Sequence, residues 1–204
     1  MIRKALFATA GLLIAAGAHA APVFSDNFDG ENGNTTVLNY TGFANFTVTD
    51  GTVDLIGTPS GYSIVCAGGA GACVDLDGTT GNPGALTSSA IDFAAGDYTL
   101  TFDLSGNQRT QSTDTVTVSL GSLLNETISL AGFDPFQTFS FNFSVVAPTT
   151  ASLIFQNDGS DNIGAILDNV AINGGADPVP EPGMIGLLGL GLLGLGVARR
   201  RRTA

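Results

Sequence analysis

Apolar and polar residues alternate with period two along several stretches of the chain. Alternation of this kind turns every second side chain to one face, which is the pattern of a β-strand with one buried side. In the clearest stretch, Tyr98, Leu100, Phe102 and Leu104 alternate with Thr and Asp residues. Residues 116–120 and 139–145 follow the same pattern. Each stretch predicts a half-buried strand.

Five further strands are predicted, at 43–49, 52–56, 126–130, 151–156 and 164–172. Asp50 and Gly51 separate the first two, and this dipeptide favours a tight hairpin turn, so the two strands are expected to pair. No stretch between the chain ends sustains a helical period. About eight short strands separated by Gly, Asn and Asp predict an all-β fold, a two-sheet antiparallel β-sandwich that is jelly-roll-like. A lectin-like sandwich of different topology is the alternative.

The first twenty residues have the order of a secretory signal peptide. Arg3 and Lys4 precede an apolar stretch, and small residues stand at 18 and 20. This order of a basic start, an apolar segment and a small-x-small triplet marks a cleavage site. Cleavage is expected after Ala20, so that the mature chain begins near Ala21.

A second apolar stretch lies near the C-terminus, from Gly183 to Ala198. As a helix it is about 24 Å long, a little short of the roughly 30 Å hydrocarbon core, although flanking arginines can snorkel to the interface. Pro180, Glu181 and Pro182 come before it, and Arg199, Arg200, Arg201 and Arg202 follow it. Basic residues after a span favour a cytoplasmic C-terminus. A single C-terminal transmembrane helix with the body outside is therefore predicted.

This C-terminal order resembles the PEP-CTERM proteins of Gram-negative bacteria, which are found in species that make exopolysaccharide and biofilm. The resemblance implies that Pro180, Glu181 and Pro182 are recognised by exosortase, an integral-membrane cysteine protease. The apolar span would hold the protein in the inner membrane, and Arg199–Arg202 would be the stop. An ordinary tail anchor with a proline-rich approach is the alternative.

The resemblance also implies a domain organisation and a destination. Residues 1–20 are the signal peptide, 21–176 the β-sandwich domain and 177–204 the sorting signal. Export would follow the general secretory route, through an inner-membrane intermediate whose body lies in the periplasm. The protein would then reach the cell surface or the extracellular space, with exosortase and exopolysaccharide as its expected partners.

The residues between the terminal signals, 21–179, are strongly acidic. Six of the seven Lys and Arg residues lie in those signals, which leaves Arg109 alone between them. Seventeen of the eighteen Asp and Glu residues lie in the same stretch, so its formal net charge is −16. Repulsion excludes nucleic acid and anionic lipid surfaces as partners. A divalent cation is expected instead.

The same stretch has no histidine, lysine or tryptophan, because His19 and Lys4 lie in the signal peptide. This excludes Ser-His-Asp and Cys-His catalysis, Schiff bases, and histidine-ligated zinc or copper. A carboxylate pair, as in glycoside hydrolases, is the chemistry that remains. Most of the acidic residues stand beside Gly, Asn, Ser or Thr, as turn residues do. We therefore name no catalytic residue and predict a non-enzymatic protein that requires no cofactor.

Cys66 and Cys73 flank a glycine-rich loop. In an oxidising compartment, two nearby cysteines on a flexible loop usually pair. Their spacing does not fit a C-x-x-C redox pair, and the stretch offers no other soft ligands for a metal. A structural disulfide is predicted.

Two short segments resemble carbohydrate-binding modules of the jelly-roll type. Residues 162–172 are similar to the final strand of such modules, and 24–31 to their opening strand and turn. The resemblance implies a structural calcium ion where first and last strands meet, bound by Asp29 or Glu31 together with Asp168. Calcium prefers such oxygen ligands. The alternative, that these acids are turn formers and surface charge, stays open.

A second candidate for calcium is the cluster Asp75, Asp77 and Gly78, just after the disulfide. It lacks the rest of an EF-hand loop. For carbohydrate, Tyr40 and Tyr62 are the candidate ligand-binding rings because both are predicted to lie in loops.

Three functions therefore remain. The leading one is an exported, non-enzymatic surface or matrix protein, associated with biofilm or exopolysaccharide and processed by exosortase. A calcium-dependent carbohydrate-binding module is the alternative, and a carboxylate-based glycoside hydrolase is the third.

Overall fold

The computed structural model describes residues 22–159 and 161–174, and these contain thirteen strands and two short 3-10 segments, Glu31–Asn34 and Ala67–Gly69. The strands are β1 (Phe24–Asp26), β2 (Phe46–Thr49), β3 (Asp54–Gly57), β4 (Ala72–Asp75), β5 (Ala85–Ser88), β6 (Ile91–Phe93), β7 (Gly96–Ser105), β8 (Thr113–Leu120), β9 (Leu124–Ala131), β10 (Gln137–Val145), β11 (Thr149–Ala151), β12 (Leu153–Asp158) and β13 (Ile166–Gly174).

The strands form two main antiparallel sheets. Sheet A has the order β10-β7-β13-β4-β3, with β1 added along β13. Sheet B has the order β2-β5-β12-β8-β9, and β6 with β11 forms a separate two-stranded ribbon. The chain passes repeatedly from one sheet to the other, as in a jelly roll. The predicted two-sheet antiparallel β-sandwich is confirmed, and its first and last strands pair, with Phe24 opposite Ile172.

The inner faces of the two sheets enclose one main hydrophobic core. The alternating residues of β7 lie in it, including Tyr98, which is 3% exposed. Phe102 packs edge-on against Phe155 of sheet B, with ring centroids 5.1 Å apart. Burying a side chain of this size stabilises the fold by about 1.5–3 kcal/mol. The aromatic residues on predicted strands therefore hold the two sheets together.

A smaller hydrophobic cluster lies on the outer face of sheet A. Alternation turns Ile56, Cys73 and Ile166 outward on three neighbouring strands. The loop 58–71 folds over them and contributes Ile64 and Cys66, and the predicted Cys66–Cys73 disulfide is present, with a Cα–Cα distance of 5.5 Å. This loop, which we call the disulfide loop, covers an outer face that would otherwise be exposed.

The predicted hairpin between β2 and β3 is wrong. Asp50 does adopt a left-handed conformation, with a φ of 59°, but β2 pairs with β5 in sheet B and β3 pairs with β4 in sheet A. The main chain of Gly51 lies against the carbonyl groups of Asn82 and Pro83, and Thr52 N–H donates to Asn82 O. The turn is bound to a third segment, so it carries the chain between sheets.

Some predictions concern residues outside the described part of the chain. These are the signal peptide at 1–20, the C-terminal transmembrane helix, Pro180, Glu181, Pro182, and Arg199–Arg202. Within residues 22–159 and 161–174, no helix is long and apolar enough to cross a membrane.

Candidate functional site

A cavity of about 140 Å³ lies beside the disulfide loop, where β3 begins and β4 ends. Loops that follow β4, β7 and β12 complete it. We call it the Tyr62 cavity; its lining residues are Leu38, Asp54, Ile56, Tyr62, Ile64, Asp75, Thr79, Arg109 and Asn162. The volume is below the roughly 300–1,000 Å³ of pockets that enclose a drug-sized molecule. The cavity therefore suits a single ring.

Ser60 fixes the turn that presents Tyr62. Its Oγ accepts hydrogen bonds from the N–H groups of Tyr62 (3.0 Å) and Ile64 (3.3 Å). A hydroxyl that bonds the backbone two residues further on is a common turn device. Tyr62 itself is 45% exposed. The ring is thus held by its backbone and left accessible at the edge of the cavity.

Arg109 is positioned by Asn107, which is fully buried in the loop between β7 and β8. The Asn107 Oδ1 accepts hydrogen bonds from the N–H groups of Arg109 (2.9 Å) and Thr110 (2.8 Å). Its Nδ2 donates to Asp114 Oδ2 at 2.8 Å. The Asn107 side-chain amide thus provides hydrogen bonds to main-chain N–H groups that have no strand partner in this loop.

Asp75 lies at the base of the cavity and is 1% exposed. Its Oδ2 accepts a hydrogen bond from Arg109 Nη2 at 2.6 Å, and its Oδ1 accepts from the N–H groups of Asp77 (3.1 Å) and Gly164 (3.0 Å). Burial raises the pKa of Asp75 to about 8, while Arg109 and the two N–H groups act in the opposite direction. The Asp75–Arg109 pair orients the guanidinium. The Arg109 side chain is still 22% exposed.

Asp54 stands directly opposite Asp75 in the β3–β4 pairing and is 6% exposed. Its Oδ1 accepts from the N–H groups of Asn39 (2.7 Å) and Thr79 (3.3 Å), and its Oδ2 from the Thr79 hydroxyl (3.0 Å). The carboxylate therefore fastens two neighbouring loops to the start of β3.

The cavity combines an accessible aromatic ring with fixed polar groups. Tyr62 supplies the ring and Arg109 a guanidinium, whose Nη2 donates to the main-chain oxygen of Asn162. Small-molecule sites typically use an apolar surface with a few convergent polar groups that set orientation. A small polyhydroxylated ring matches this combination, since its face is apolar and its edge carries hydroxyl groups.

The predicted calcium residues are only partly brought together. Asp168 Oδ2 accepts a hydrogen bond from Ala67 N–H of the disulfide loop at 3.1 Å, and Asp29 Oδ1 accepts one from the N–H of Ala72, the first residue of β4, at 2.9 Å. Burial raises the pKa of Asp168 to about 7, and the charge of Asp29 adds to the effect. These two carboxylates therefore act on each other beside the loop.

Glu31 lies apart from that pair. It is 6% exposed, its Oε1 accepts from Ala44 N–H at 2.8 Å, and its Oε2 accepts from the Tyr40 hydroxyl at 3.3 Å. Residues 22–159 and 161–174 contain no group of three or more His, Cys, Asp or Glu side chains already placed to hold a metal ion. Calcium at Asp29, Glu31 and Asp168 stays a prediction.

A larger, open groove of about 660 Å³ runs along β1 and β13, where Glu31 and Asp26 lie. None of the described residues that line it is aromatic. The Asp26 oxygens accept from Phe28 N–H (2.8 Å) and Asn45 Nδ2 (3.1 Å). Because this groove offers no aromatic ring, we favour the smaller Tyr62 cavity as the functional site.

Of the two predicted ring residues, Tyr62 lines the cavity and Tyr40 does not. Tyr40 packs against Phe43, with centroids 4.7 Å apart, and its hydroxyl also donates to Gly42 O at 3.1 Å. Sequence analysis did not select Arg109, Asp54 or Asn162 as site residues. The one available signal was that Arg109 is the sole basic residue between the terminal signals.

The fold and the cavity define an acidic, disulfide-bonded β-sandwich with a small polar site. Residues 178–202 match the family model described as the PEP-CTERM protein-sorting motif. The chain therefore carries this motif, as Pro180, Glu181 and Pro182 predict, beyond the residues that the structure describes. No curated protein matches the chain.

Similar solved structures include two carbohydrate-binding modules, the class that residues 24–31 and 162–172 resemble. CBM35 from Cellvibrio japonicus Abf62 is 18% identical, with 70% of this chain and 95% of that chain covered and a TM-score of 0.41. CBM6cm-2 from Cellvibrio mixtus lichenase 5A, in complex with cellotriose, is 13% identical, with 68% and 95% covered and a TM-score of 0.36. An exo-beta-1,3-galactanase from Phanerochaete chrysosporium is 16% identical, with 68% of this chain covered and a TM-score of 0.40. This chain spans 29% of the galactanase's length.

Proposed function

We propose that the protein is exported, is delivered to the cell surface through its PEP-CTERM motif, and there binds exopolysaccharide without catalysing a reaction. The observation that carries the proposal is the Tyr62 cavity, which is lined both by an exposed ring and by a guanidinium fixed by a buried carboxylate. A single sugar residue of a polymer fits a site of this size.

The sorting motif supports the first half of the proposal. The resemblance to PEP-CTERM proteins implies that exosortase recognises this motif. Cleavage there would release the β-sandwich domain from its membrane anchor, either free or attached to the cell surface. Replacing Pro180, Glu181 and Pro182 by alanine in the native host should block maturation, seen as a retained larger form on immunoblots. Unchanged maturation would show that the motif is not used.

The chemistry of the cavity supports the second half. Arg109 Nη2 donates to Asp75 and also to Asn162 O at 3.2 Å. A guanidinium carries five N–H donors, so others remain for ligand hydroxyl groups. Asn162 and Thr79 add donors and acceptors at the rim. A ring that stacks on Tyr62 would find its hydroxyl groups within reach of these polar side chains.

Substitution of Tyr62 tests the binding site. We expect Tyr62→Ala to weaken binding of the host's own exopolysaccharide by about 1–2 kcal/mol, roughly five- to thirtyfold in Kd, because the stacking surface is lost. Tyr62→Phe keeps the ring and should bind nearly as well. Affinity electrophoresis or calorimetry measures the difference. If Tyr62→Ala binds as tightly as the parent chain, Tyr62 does not form the binding site. If the parent chain itself does not bind the polysaccharide, the glycan-binding part of the proposal is wrong and only a matrix role remains.

A glycoside hydrolase is the second candidate, because Asp54 and Asp75 are opposed carboxyl groups in one cavity and the pKa of Asp75 is raised. Hydrolases use such pairs. We favour binding because the oxygens of both side chains already accept hydrogen bonds from the protein. Release of reducing ends that disappears in Asp54→Asn and in Asp75→Asn would instead establish hydrolysis.

A further inference from the structure

Asp77 is a buried carboxylate without a basic partner or a close hydrogen bond. It follows β4, is 0% exposed, and neither of its side-chain oxygens accepts a hydrogen bond within the described residues. Burying a charged group is strongly unfavourable unless another group compensates it. The neighbouring Asp75 has the ion pair with Arg109 that Asp77 lacks.

Two further carboxylates on other elements interact electrostatically with Asp77. Asp161 lies exposed in the loop between β12 and β13, and Asp114 is buried at the start of β8. Burial raises the pKa of Asp77 and the charge of Asp161 raises it further, whereas the nearby main-chain N–H groups of Asn162 and Asp161 lower it. Burial also raises the pKa of Asp114, and both Asp161 and Asp77 add to that effect. The charges of Asp77, Asp114 and Asp161 therefore interact at one end of the sandwich.

Among residues 22–159 and 161–174, no basic side chain is free to neutralise them. Arg109 is the only Lys or Arg in residues 22–174. Its Nη2 donates to Asp75 and to Asn162 O. Asp77, Asp114 and Asp161 thus lack a protein counter-charge in the described part of the chain.

The main chain closes around the Asp77 carboxylate. A Cβ on Gly159 would lie 2.8 Å from Asp77 Oδ2 and 3.0 Å from Asn157 Nδ2, so these two polar atoms flank the same glycine. The Asn157 Nδ2 is also buried and without a partner among the described residues. Rotating this amide would turn its oxygen toward Asp77, at the expense of the long 3.4 Å bond from Ala165 N–H.

We propose that Asp77 and Asp161 bind one calcium ion at this end of the sandwich, with the Asn157 amide oxygen as a further ligand. Calcium takes six to eight oxygen ligands in flexible geometry, supplied by carboxylates, amides, backbone carbonyls and water. Zinc is excluded by chemistry, since the described residues offer no histidine and both cysteines form the disulfide. Because no three acidic side chains already surround one point, water and carbonyl groups complete the shell.

The ion would also act on the Tyr62 cavity. Asp161 and Asn162 are adjacent in the loop between β12 and β13, and Asn162 lines the cavity. Calcium bound to Asp161 would hold this loop against β4. The inference goes beyond the proposed glycan binding and stands or falls independently of it, because it is tested without a glycan.

The experiment compares the exported protein after EGTA treatment and after addition of calcium alone, by calorimetric titration and thermal melting. The parent chain should bind one calcium ion and melt several degrees higher with it. Asp77→Asn should lose the calcium response and, in EGTA, melt above the parent, because the buried charge is gone. Asp92→Asn changes an exposed acid on β6, which belongs to the separate two-stranded ribbon, and should behave as the parent.

Asp161→Asn provides a second test because this exposed side chain can change without loss of the fold. Removing one of two carboxylate ligands should raise the calcium Kd about tenfold or more. A parent chain without any calcium response, or unchanged affinity in Asp161→Asn, would overturn the proposal. So would calcium binding that survives in Asp77→Asn and is lost in Asp168→Asn, since the ion would then lie beside the disulfide loop.

Discussion

Gly71, in the disulfide loop, is fitted against a single carboxylate. It has a φ of +76°, and a Cβ at this position would overlap Asp29 Oδ1. The same oxygen accepts the hydrogen bond from Ala72 N–H. Gly68 has a nearly identical φ of +72°, but nothing lies within 4 Å of its Cβ position. A comparison of alanine substitutions at the two glycines therefore distinguishes two effects on stability: the strain of a left-handed backbone, and the steric overlap of a Cβ with Asp29.

We expect Gly68→Ala to lower the free energy of unfolding by about 1 kcal/mol, the cost of a left-handed alanine. Gly71→Ala should lower the free energy of unfolding by about 1–2 kcal/mol more than Gly68→Ala does. The new Cβ would displace the Asp29 side chain, which would lose its hydrogen bond from Ala72 N–H. Urea denaturation with the disulfide intact measures both. Equal losses in the two variants would show that the Asp29 contact contributes nothing.

Asp168 should make the stability depend on pH. Burial raises its pKa to about 7, with the charges of Asp29 and Asp103 adding to this and the N–H groups of Asn169 and Ala67 opposing it. A carboxyl whose folded pKa lies above its ordinary value favours the folded state while protonated. Its contribution is therefore complete below about pH 4 and is lost as pH rises toward 7.

In EGTA, we expect the free energy of unfolding to fall by about 1–2 kcal/mol from this group between pH 5 and pH 7. Asp168→Asn should flatten the fall, whereas the exposed control Asp92→Asn should keep it. Melting curves across this pH range give the comparison. An identical slope in Asp168→Asn would mean that Asp168 titrates normally in the folded protein.

At the scale of elements, alternation predicted the long strands with one buried face, but it did not mark β4, which is buried on both faces. β7, β8 and β10 show the alternation that predicted them. All four residues of β4 are buried because the disulfide loop covers its outer face, so no alternation marks it. The predicted hairpin was wrong for a related reason. Asp50 and Gly51 do form a turn, but β2 pairs with β5 and β3 pairs with β4, and neither pairing can be read from the turn sequence.

The candidate site was predictable only through Tyr62 and Asp75. The Tyr62 ring was expected in a loop as a carbohydrate ligand, and Asp75 was named as part of a calcium cluster. Arg109, Asp54 and Asn162 come from three segments that are far apart in sequence, and no spacing links them. Asp77 belonged to a predicted acidic cluster, but its lack of a partner depends on which atoms surround it. Such tertiary convergence leaves no sequence pattern.

The disulfide should stabilise the disulfide loop as an element. Replacing Cys66 and Cys73 by alanine together should lower the free energy of unfolding by about 2–3 kcal/mol, from the chain entropy of a short loop. Reduced parent protein should match the double variant in denaturant titrations. Glycan binding should weaken as well, because Tyr62 lies in the same loop. Unchanged stability in both samples would show that the packing of Ile64 holds the loop by itself.

At the scale of the whole molecule, the acidic surface opposes the compact state. The stretch 21–179 carries a formal net charge of −16. Repulsion among like charges is screened over about 10 Å at 0.1 M salt. In EGTA, sodium chloride should therefore raise the melting temperature by a few degrees between about 20 and 300 mM.

Tetramethylammonium chloride is the control for that effect, because screening depends on ionic strength and not on which cation supplies it. It should raise the melting temperature as much as sodium chloride does. A rise with sodium alone would point to a bound ion, and no rise with either salt would mean that the acidic residues are too widely spaced to repel.

The first strand of the chain, β1, pairs with the last strand, β13, and cannot form its hydrogen bonds until β13 has been synthesised. Val23 N–H donates to Ile172 O at 2.8 Å. β13 also joins β7 to β4 at the centre of sheet A. A chain that is synthesised and delivered N-terminus first can therefore complete this sheet only after residue 174 arrives, six residues before Pro180. Assembly of the body and presentation of the sorting motif become nearly simultaneous, and a chain broken before β13 reaches the membrane surface with its central sheet unfinished.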